Sequence, residues 1–175
     1  QENLKESVQT TLSGKSSLET LFKIIGPSYR DKLSQEETQK MIKNIKKSLD
    51  DGGIGIGIPV GYLPKTNSEE LFRIYQLAAE LKLLVFSHVR EPNILSIQEA
   101  IANAAMTGTA LHLVHINSMA LGQIQLALNM ISSANQKGLD ISTELYSYTA
   151  AATLLNSAFF DEGWQDRLGI SYGDL

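Results

Sequence analysis

Short apolar runs recur along this chain at a nearly constant interval, and a stretch of helical periodicity follows each of the first three. The runs begin at Ile54, Leu83, Ala110 and Ile141, so successive starts lie 29, 27 and 31 residues apart. This interval is typical of a strand followed by a crossover helix rather than of a helical repeat. Because the central runs lack polar alternation, they indicate strands that helices cover. We therefore predict an α/β fold with a parallel sheet in sequential order, whose strands are residues 54–60, 83–89, 110–116 and 141–146.

Helix starts between these runs are marked by residues that satisfy unpaired backbone N–H groups. A serine or threonine followed three residues later by glutamate forms a capping box, in which each side chain accepts a bond from the other residue's backbone. The predicted boxes are Ser34 with Glu37, Thr66 with Glu69, and Ser96 with Glu99. A further helix is predicted to start at Asn117 or Ser118 and to end at Gly138.

The chain is long enough for one ordinary domain with a substantial core. It has 175 residues, of which 43% are hydrophobic and 19% are charged, which is a globular composition. We predict a single domain over residues 1–175, with an irregular or helical segment at 1–33, βα units at 34–153 and an unassigned segment at 154–175. Because the chain begins with Gln1 instead of methionine, we expect it to be a segment of a longer protein.

The charge balance favours neither nucleic acid nor a membrane as a partner. The chain has 15 basic and 19 acidic residues, a net charge of -4, and therefore no basic footprint for an anionic surface. It has no cysteine, which excludes disulfides, thiolate catalysis and cysteine zinc sites within this sequence. No apolar run approaches the roughly 20 residues that a membrane-spanning helix needs. We therefore expect a soluble, cytoplasmic protein.

The first apolar run, GIGIGIPVGY, alternates glycine with larger apolar residues. One face of this strand is predicted to carry Ile54, Ile56, Ile58 and Val60, and the other face carries glycine. Glycine within a strand marks a place where another group must approach closely. A dinucleotide-binding fingerprint is rejected because Val60 stands where its third glycine belongs and Pro59 intervenes. A phosphate-binding P-loop is rejected because no Gly-Lys-Ser/Thr sequence follows.

Two neighbouring runs, LLVFSH and LHLVH, end in His88 and His115. Because adjacent parallel strands open their carboxyl ends at the same edge of a sheet, the two imidazoles should meet there. Neutral imidazole is a common ligand of transition metals, so we hypothesise a metal site, although each histidine could instead cap backbone groups. His112 lies three residues before His115 and is predicted to face the core or a helix.

Polar and aromatic residues near the same strand ends are candidates for binding a substrate. In a barrel of βα units, the loops after the strands form the active site. The ordinary alternative is that charged residues lie on the surface and that tyrosines fill the core. The candidates are Tyr62, Arg90, Asn117, Tyr146 and Tyr148, with Glu144 as a further carboxylate at this edge.

The order of these motifs resembles the amidohydrolase superfamily, and most closely the D-aminoacylases (N-acyl-D-amino-acid deacylases). A glycine-rich strand ending in GY is followed by FSHVRE, LVHINS and LYSYTAAAT, and the similarity covers residues 49–153. The resemblance implies part of a (β/α)₈ TIM barrel that hydrolyses the amide bond of N-acyl-D-amino acids or a related small amide, with one or two zinc ions in the parent family. It implies zinc ligation by His88 and His115, and substrate contacts by the rim candidates Tyr62, Arg90, Tyr146 and Tyr148.

The sequence also departs from the family pattern. The family's lysine after S-H-L is Asn117 here, and Ala151 and Ala152 replace a glycine and a serine. The strand-one H-x-H pair, the metal-binding cysteine and the late aspartate that acts as general base have no counterpart. We therefore interpret the chain as the middle part of such an enzyme and expect it to be inert alone.

Four or five βα units do not close an eight-stranded barrel, so exposed strand edges require a partner. We expect self-association or pairing with a complementary barrel segment. A second hypothesis is therefore a catalytically inert half-barrel that acts as a structural or interaction module. A third, a doubly wound domain that binds an anion, is disfavoured because no glycine-rich loop leads into a helix.

Overall fold

Four parallel strands form one sheet in this computed structural model, which describes residues 30–155 and 157–175. The strands are β1 (Gly55–Pro59), β2 (Leu84–His88), β3 (Leu111–Leu113) and β4 (Ile141–Thr143). They pair in the order β1-β2-β3-β4, and all three pairings are parallel. The predicted α/β fold with a sequential parallel sheet, as in part of a (β/α)₈ barrel, is confirmed.

The described residues form six α-helices, and helices that connect consecutive strands cover one face of the sheet. They are α1 (Gln35–Asp50), α2 (Ser68–Glu80), α3 (Ile94–Thr107), α4 (Ile116–Ala120), α5 (Ile124–Gln136) and α6 (Trp164–Leu168). Helix α2 packs on β2, α3 on β3 and α5 on β4, while α1 packs against α2. Within the described ranges, no helix combines the length and the apolar character that a bilayer crossing requires.

The hydrophobic core lies between the sheet and these helices. One register row crosses all four strands and consists of Ile56, Val85, Leu111 and Ile141. None of these side chains is more than 6% exposed, and Tyr75 of α2 is fully buried in the same core. Burying an aliphatic side chain of this size contributes about 1.5–3 kcal/mol, so the row ties the four strands to the helix layer.

The opposite face of the sheet points away from helices α2, α3 and α5. Its register row consists of Gly57, Phe86, His112 and Ser142, none of which is buried. The prediction that His112 faces the core or a helix is therefore wrong. The reason is strand alternation, which places the neighbouring Leu111 on the helix side and His112 on the open side.

The glycine alternation in β1 has a steric reason at Gly55. A Cβ atom there would lie 2.8 Å from the carbonyl oxygen of Leu84 and 2.9 Å from Cε2 of Phe86, so the neighbouring strand occupies the space that a side chain would need. Ile56 and Ile58 are buried on the helix side, as predicted. Ile54 was predicted on the same face, but it precedes the strand and is 87% exposed.

The capping box predicted for α1 is confirmed. The Glu37 backbone N–H donates to Ser34 Oγ at 3.2 Å, and the Ser34 N–H donates to Glu37 Oε2 at 2.9 Å. Both bonds satisfy donors that the helix itself leaves unpaired at its first turn. The predicted helix start is therefore correct, with Ser34 as the N-cap and Gln35 as the first helical residue. The predictions for residues 1–29 lie outside the described residues.

The next two helices begin behind asparagines instead of the predicted residues. Asn67 caps α2 and Asn93 caps α3, each through a side-chain oxygen that accepts from the N–H three residues later. Thr66 belongs to the preceding turn, because its N–H donates to the carbonyl oxygen of residue 63. Ser96 lies inside the first turn of α3, where its own N–H is the group that Asn93 caps. The boxes predicted at Thr66 and Ser96 are therefore wrong.

Strands β3 and β4 end three residues earlier than predicted. His115 has φ 36° and ψ 55°, a left-handed conformation that interrupts an extended strand. The backbone bend starts α4 at Ile116, so the predicted helix start at Asn117 or Ser118 is wrong. Backbone pairing nevertheless continues past the strand ends, since the Ile116 N–H donates to the Glu144 carbonyl oxygen at 2.9 Å.

We expect Asn135→Ala to lower the free energy of unfolding by about 1–2 kcal/mol, because two hydrogen bonds to the backbone are lost. The Asn135 side chain donates to the Ile141 carbonyl oxygen at 2.8 Å and accepts from the Ile141 N–H at 3.0 Å. Asn129→Ala in the same helix is the control, because Asn129 bonds only the exposed Gln125 side chain among the described contacts. Urea denaturation measures both, and equal effects would contradict the role of Asn135.

Candidate metal centre

His88 and His115 meet at the carboxyl edge of the sheet. His88 is the last residue of β2, and His115 follows β3 by two residues. Their ring centroids lie 4.8 Å apart, with the ring planes at 60°. The parallel register causes this approach, because both strands open toward the same edge. Two imidazoles at this separation are close enough to share one ion.

The orientation of His88 leaves one ring nitrogen for a ligand. His88 Nδ1 lies 3.0 Å from the carbonyl oxygen of Val89, and because a carbonyl oxygen only accepts, Nδ1 carries the proton. The lone pair is therefore on Nε2. Histidines that bind metals commonly donate their other N–H to a carbonyl or carboxylate in this way, which fixes the ring. His88 thus fits the role of a metal ligand.

The backbone of His115 is strained and is held by its neighbours. A left-handed conformation costs a residue with a side chain on the order of 1–3 kcal/mol. Both the N–H and the Oγ of Ser118 donate to the His115 carbonyl oxygen at 3.0 Å. The bond from Ile116 to Glu144 holds the other side of the bend. These contacts turn the His115 ring toward His88 at the end of the strand.

Burial favours the neutral form of both imidazoles. Burial lowers the pKa of His88 below its ordinary value of 6.5, while the hydrogen bond with Val89 acts in the opposite direction. Burial also lowers the pKa of His115, the nearby His88 lowers it further, and Glu144 opposes both effects. Neutral imidazole is the form that binds metals, so the environment favours the state that ligation requires.

The two histidines fit two positions of a zinc site, which normally has three or four protein ligands. The carboxylate of Glu144 is near, but its Oε2 lies 3.6 Å from His112 Nε2 and its side chain is 58% exposed. Across residues 30–155 and 157–175, no group of three histidine, cysteine, aspartate or glutamate side chains could hold an ion. The described residues therefore form half of a ligand set.

Arg90 and Asn117, both predicted to bind substrate, are held by other groups of this chain. Arg90 donates from Nε and Nη2 to the Glu99 carboxylate at 3.1 and 2.9 Å, and from Nη1 to the Thr66 carbonyl oxygen at 2.8 Å. Asn117 Nδ2 donates to the Tyr146 carbonyl oxygen at 3.0 Å, and Asn117 Oδ1 accepts from the Tyr146 N–H at 3.3 Å. Both side chains fix loops around the histidine pair, and their contact with substrate stays a prediction.

The predicted tyrosines lie around the histidine pair at increasing distance. The Tyr62 ring centroid is 5.2 Å from that of His88, and Tyr146 stacks on His115 at 6.1 Å and 27°. Tyr148 contacts Tyr146 at 6.3 Å, and it is 77% exposed. The structure therefore brings Tyr62 and Tyr146 to the site and leaves Tyr148 at its outer rim.

Phe159 is a site residue that the sequence did not predict. Its ring lies 5.7 Å from His88 at 80° and 4.9 Å from Tyr62 at 61°. Thr153 also contributes, because its Oγ1 lies 3.3 Å from the Tyr62 hydroxyl. The segment around Phe159 has no helical or strand periodicity, so its aromatic character was the only local signal. The C-terminal segment thus closes one side of the site.

We expect Gly61→Ala to displace the His88 ring. An added Cβ would lie 3.0 Å from Cε1 and Nδ1 of His88 and 3.0 Å from the Val89 carbonyl oxygen. Such crowding costs about 1–3 kcal/mol and breaks the bond between Nδ1 and Val89. Gly57→Ala is the control, since no atom lies within 4 Å of its added Cβ. Urea denaturation and NMR shifts of the His88 ring measure both, and an unchanged ring in Gly61→Ala would refute this explanation.

The lowered histidine pKa values make stability fall on acidification. Below pH 6.5 the unfolded chain binds more protons than the folded chain, so the free energy of unfolding decreases as the pH drops through this range. We expect urea midpoints to decrease between about pH 7.5 and pH 5.5. His88→Asn should reduce this dependence, and an equal dependence in the chain and in His88→Asn would show that His88 does not contribute.

No family model matches the chain, and no curated protein matches it. Solved structures, in contrast, match the chain over most of its length. The N-acyl-D-glutamate deacylase of Bordetella bronchiseptica, complexed with zinc and a phosphonate mimic of the tetrahedral intermediate, aligns with a TM-score of 0.62 and 23% identity over 70% of this chain and 28% of its own. A D-aminoacylase that defines a novel subset of amidohydrolases aligns with a TM-score of 0.64 and 21% identity over 74% and 29%.

A D-aminoacylase studied for the role of its binuclear metal center aligns with a TM-score of 0.61 and 19% identity over 71% of this chain and 28% of its own. The chain thus spans less than a third of the length of these proteins. At these identities the similarity concerns the fold. The described βα units therefore share their fold with part of the D-aminoacylases.

Proposed function

We propose that this chain is the central part of a metal-dependent amidohydrolase and that His88 and His115 are two of its metal ligands. The observation that carries the proposal is the approach of two imidazoles, 4.8 Å apart, at the carboxyl edge of adjacent parallel strands. Burial lowers the pKa of both rings, which favours the neutral form that binds metals. Solved structures with the same fold are D-aminoacylases and a related deacylase, one of them complexed with zinc. The location also agrees with the rule that barrel active sites lie at this edge.

In this proposal the residues of the chain bind and orient. His88 presents Nε2 because Nδ1 is engaged by Val89, and His115 presents its ring from the bend after β3. A bound zinc ion would polarise an amide carbonyl and lower the pKa of a water molecule. Tyr62 and Tyr146 form the walls beside the two imidazoles.

The substrate class in this proposal is an N-acyl-D-amino acid or a related small amide. Tyr62, Tyr146 and Tyr148 are the proposed contacts to the substrate. Arg90 and Asn117 stay candidates for substrate contact. Arg90 bonds to Glu99 and Asn117 bonds to the Tyr146 backbone, so both have a structural role. The remaining ligands and the general base would come from outside the described residues.

A different function, an inert interaction module, has one observation in its favour. A cavity of about 650 Å³ lies between α1 and β1, away from the histidine pair. Apolar side chains such as Met41, Ile45 and Ile58 line it, at the edge of β1 that no described strand pairs with. A strand from a second copy or from another barrel segment could fill such a space. This function needs no metal, which separates the two proposals.

Metal titration tests the proposed site. We expect the chain to bind Co²⁺ or Zn²⁺ weakly, because it supplies two ligands, and His88→Ala and His115→Ala each to lower the affinity by about tenfold or more. His112→Ala is the control, because that ring lies on the open face of the sheet beside Ser142. Affinities that are equal in the chain and in both variants would leave the histidines structural and favour the interaction module.

The same samples test catalysis. We expect no cleavage of N-acyl-D-amino acids by the chain alone, because a missing general base alone removes about 10²- to 10⁴-fold in rate. Turnover at the rate of an enzyme, lost in His88→Ala, would instead show that this chain contains a complete site.

A further inference from the structure

Phe159 lies in a short 3-10 helix, Ala158–Phe160, that covers the carboxyl edge of the sheet beside His88. Its ring meets His88 nearly edge to face, with the centroids 5.7 Å apart, and it contacts Tyr62 on the other side at 4.9 Å. Tyr62 in turn contacts His88 at 5.2 Å. The three rings thus form one packed group in which His88 is the imidazole.

An ion pair and hydrogen bonds to backbone carbonyl oxygens hold this 3-10 helix in place. Arg30 forms a bidentate ion pair with Asp161, with Nη2 to Oδ1 at 2.7 Å and Nε to Oδ2 at 3.2 Å. Arg167 Nη2 donates to the carbonyl oxygens of Phe159 and Asp161 at 3.1 and 3.3 Å. The side chain of Ala158 is buried. Phe159 is therefore held over His88 by its own segment.

One contact of His88 determines which ring nitrogen is protonated, and the other contacts hold the plane of the ring. The bond from Nδ1 to Val89 determines which nitrogen carries the proton. Gly61 closes one side, since a Cβ there would lie 3.0 Å from the ring. Phe159 and Tyr62 contact the ring elsewhere, and the hydrocarbon ring of Phe159 neither accepts nor donates an ordinary hydrogen bond. Phe159 can therefore act only by packing and by excluding water.

We propose that Phe159 is a positioning residue for the metal site, which holds the His88 imidazole so that Nε2 faces His115. This inference rests on the proposed metal function. Removing a hydrogen-bonding partner that orients a metal-binding histidine typically weakens metal affinity by about 10- to 100-fold, and loss of a packing contact that holds the same ring should act in the same direction. Phe159 does this work from the C-terminal segment, 71 residues after the ligand that it orients.

The test compares two adjacent phenylalanines of the same 3-10 helix. Phe160 points to Trp164, with ring centroids 5.3 Å apart, and has no described contact with His88. We expect Phe159→Ala to weaken Co²⁺ binding, followed by visible absorption, by about tenfold, which is the lower end of the effect of losing a hydrogen-bonding partner, and Phe160→Ala to change it by less than about threefold. Phe159→Leu, which keeps apolar volume without a flat ring, should fall between them. Thermal unfolding shows that each variant is folded at the temperature used.

A second readout does not require metal. Long-range ¹H–¹⁵N NMR correlations report which nitrogen of His88 is protonated in the metal-free chain. We expect Nδ1 to be protonated in the chain and in Phe160→Ala. In Phe159→Ala we expect a mixture of both tautomers, because a ring that is no longer held can turn away from the Val89 carbonyl oxygen, whose bond keeps the proton on Nδ1. A merely structural role of Phe159 would lower the unfolding temperature and leave the tautomer unchanged.

The outcomes separate this inference from the function on which it rests. If His88→Ala weakens Co²⁺ binding and Phe159→Ala does not, Phe159 has no positioning role and the metal site stands. If His88→Ala leaves the affinity unchanged, the metal function fails, and the positioning role fails with it. If Phe159→Ala loses both affinity and the single tautomer while Phe160→Ala keeps them, the inference is supported.

Discussion

The parallel register between β2 and β3 is the constraint on which the site depends. Ser87 pairs with Leu113, and the Val114 N–H donates to the Ser87 carbonyl oxygen at 3.2 Å, so the two strand ends are aligned to within a residue. A slip by one residue would send every side chain of a strand to the opposite face. The burial of Val85 and Leu111 on the helix side opposes such a slip. Core packing thus determines where His88 and His115 meet.

The sheet and the place of the histidines could be predicted because both follow from local pattern. Apolar runs at a βα interval predict parallel strands, and the carboxyl ends of such strands share an edge. Helix starts were harder to predict, because Thr66 and Asn67 can both cap a helix and the sequence alone does not distinguish between them. The preceding turn decides between them, since the Thr66 N–H is already bonded to residue 63.

The remaining features depend on backbone bends and on contacts between remote segments. The face of His112 was predicted by counting alternate residues from His115. His115, however, lies in a left-handed bend after the strand, so the alternation of faces along the strand does not extend to it. The bond of Arg90 to Glu99 and the contact of Phe159 with His88 join different elements. No local periodicity encodes such pairs, so only the structure reveals them.

The ion pair between Arg30 and Asp161 joins residues that are 131 positions apart. Closing a loop of this length costs more conformational entropy than forming contacts within one βα unit. Contacts that form earlier between the two ends shorten the loop and lower this cost. During synthesis the strands that carry the histidine pair leave the ribosome well before Phe159 does. We therefore expect the sheet to assemble with its carboxyl edge still open to water and the enclosure of His88 to follow.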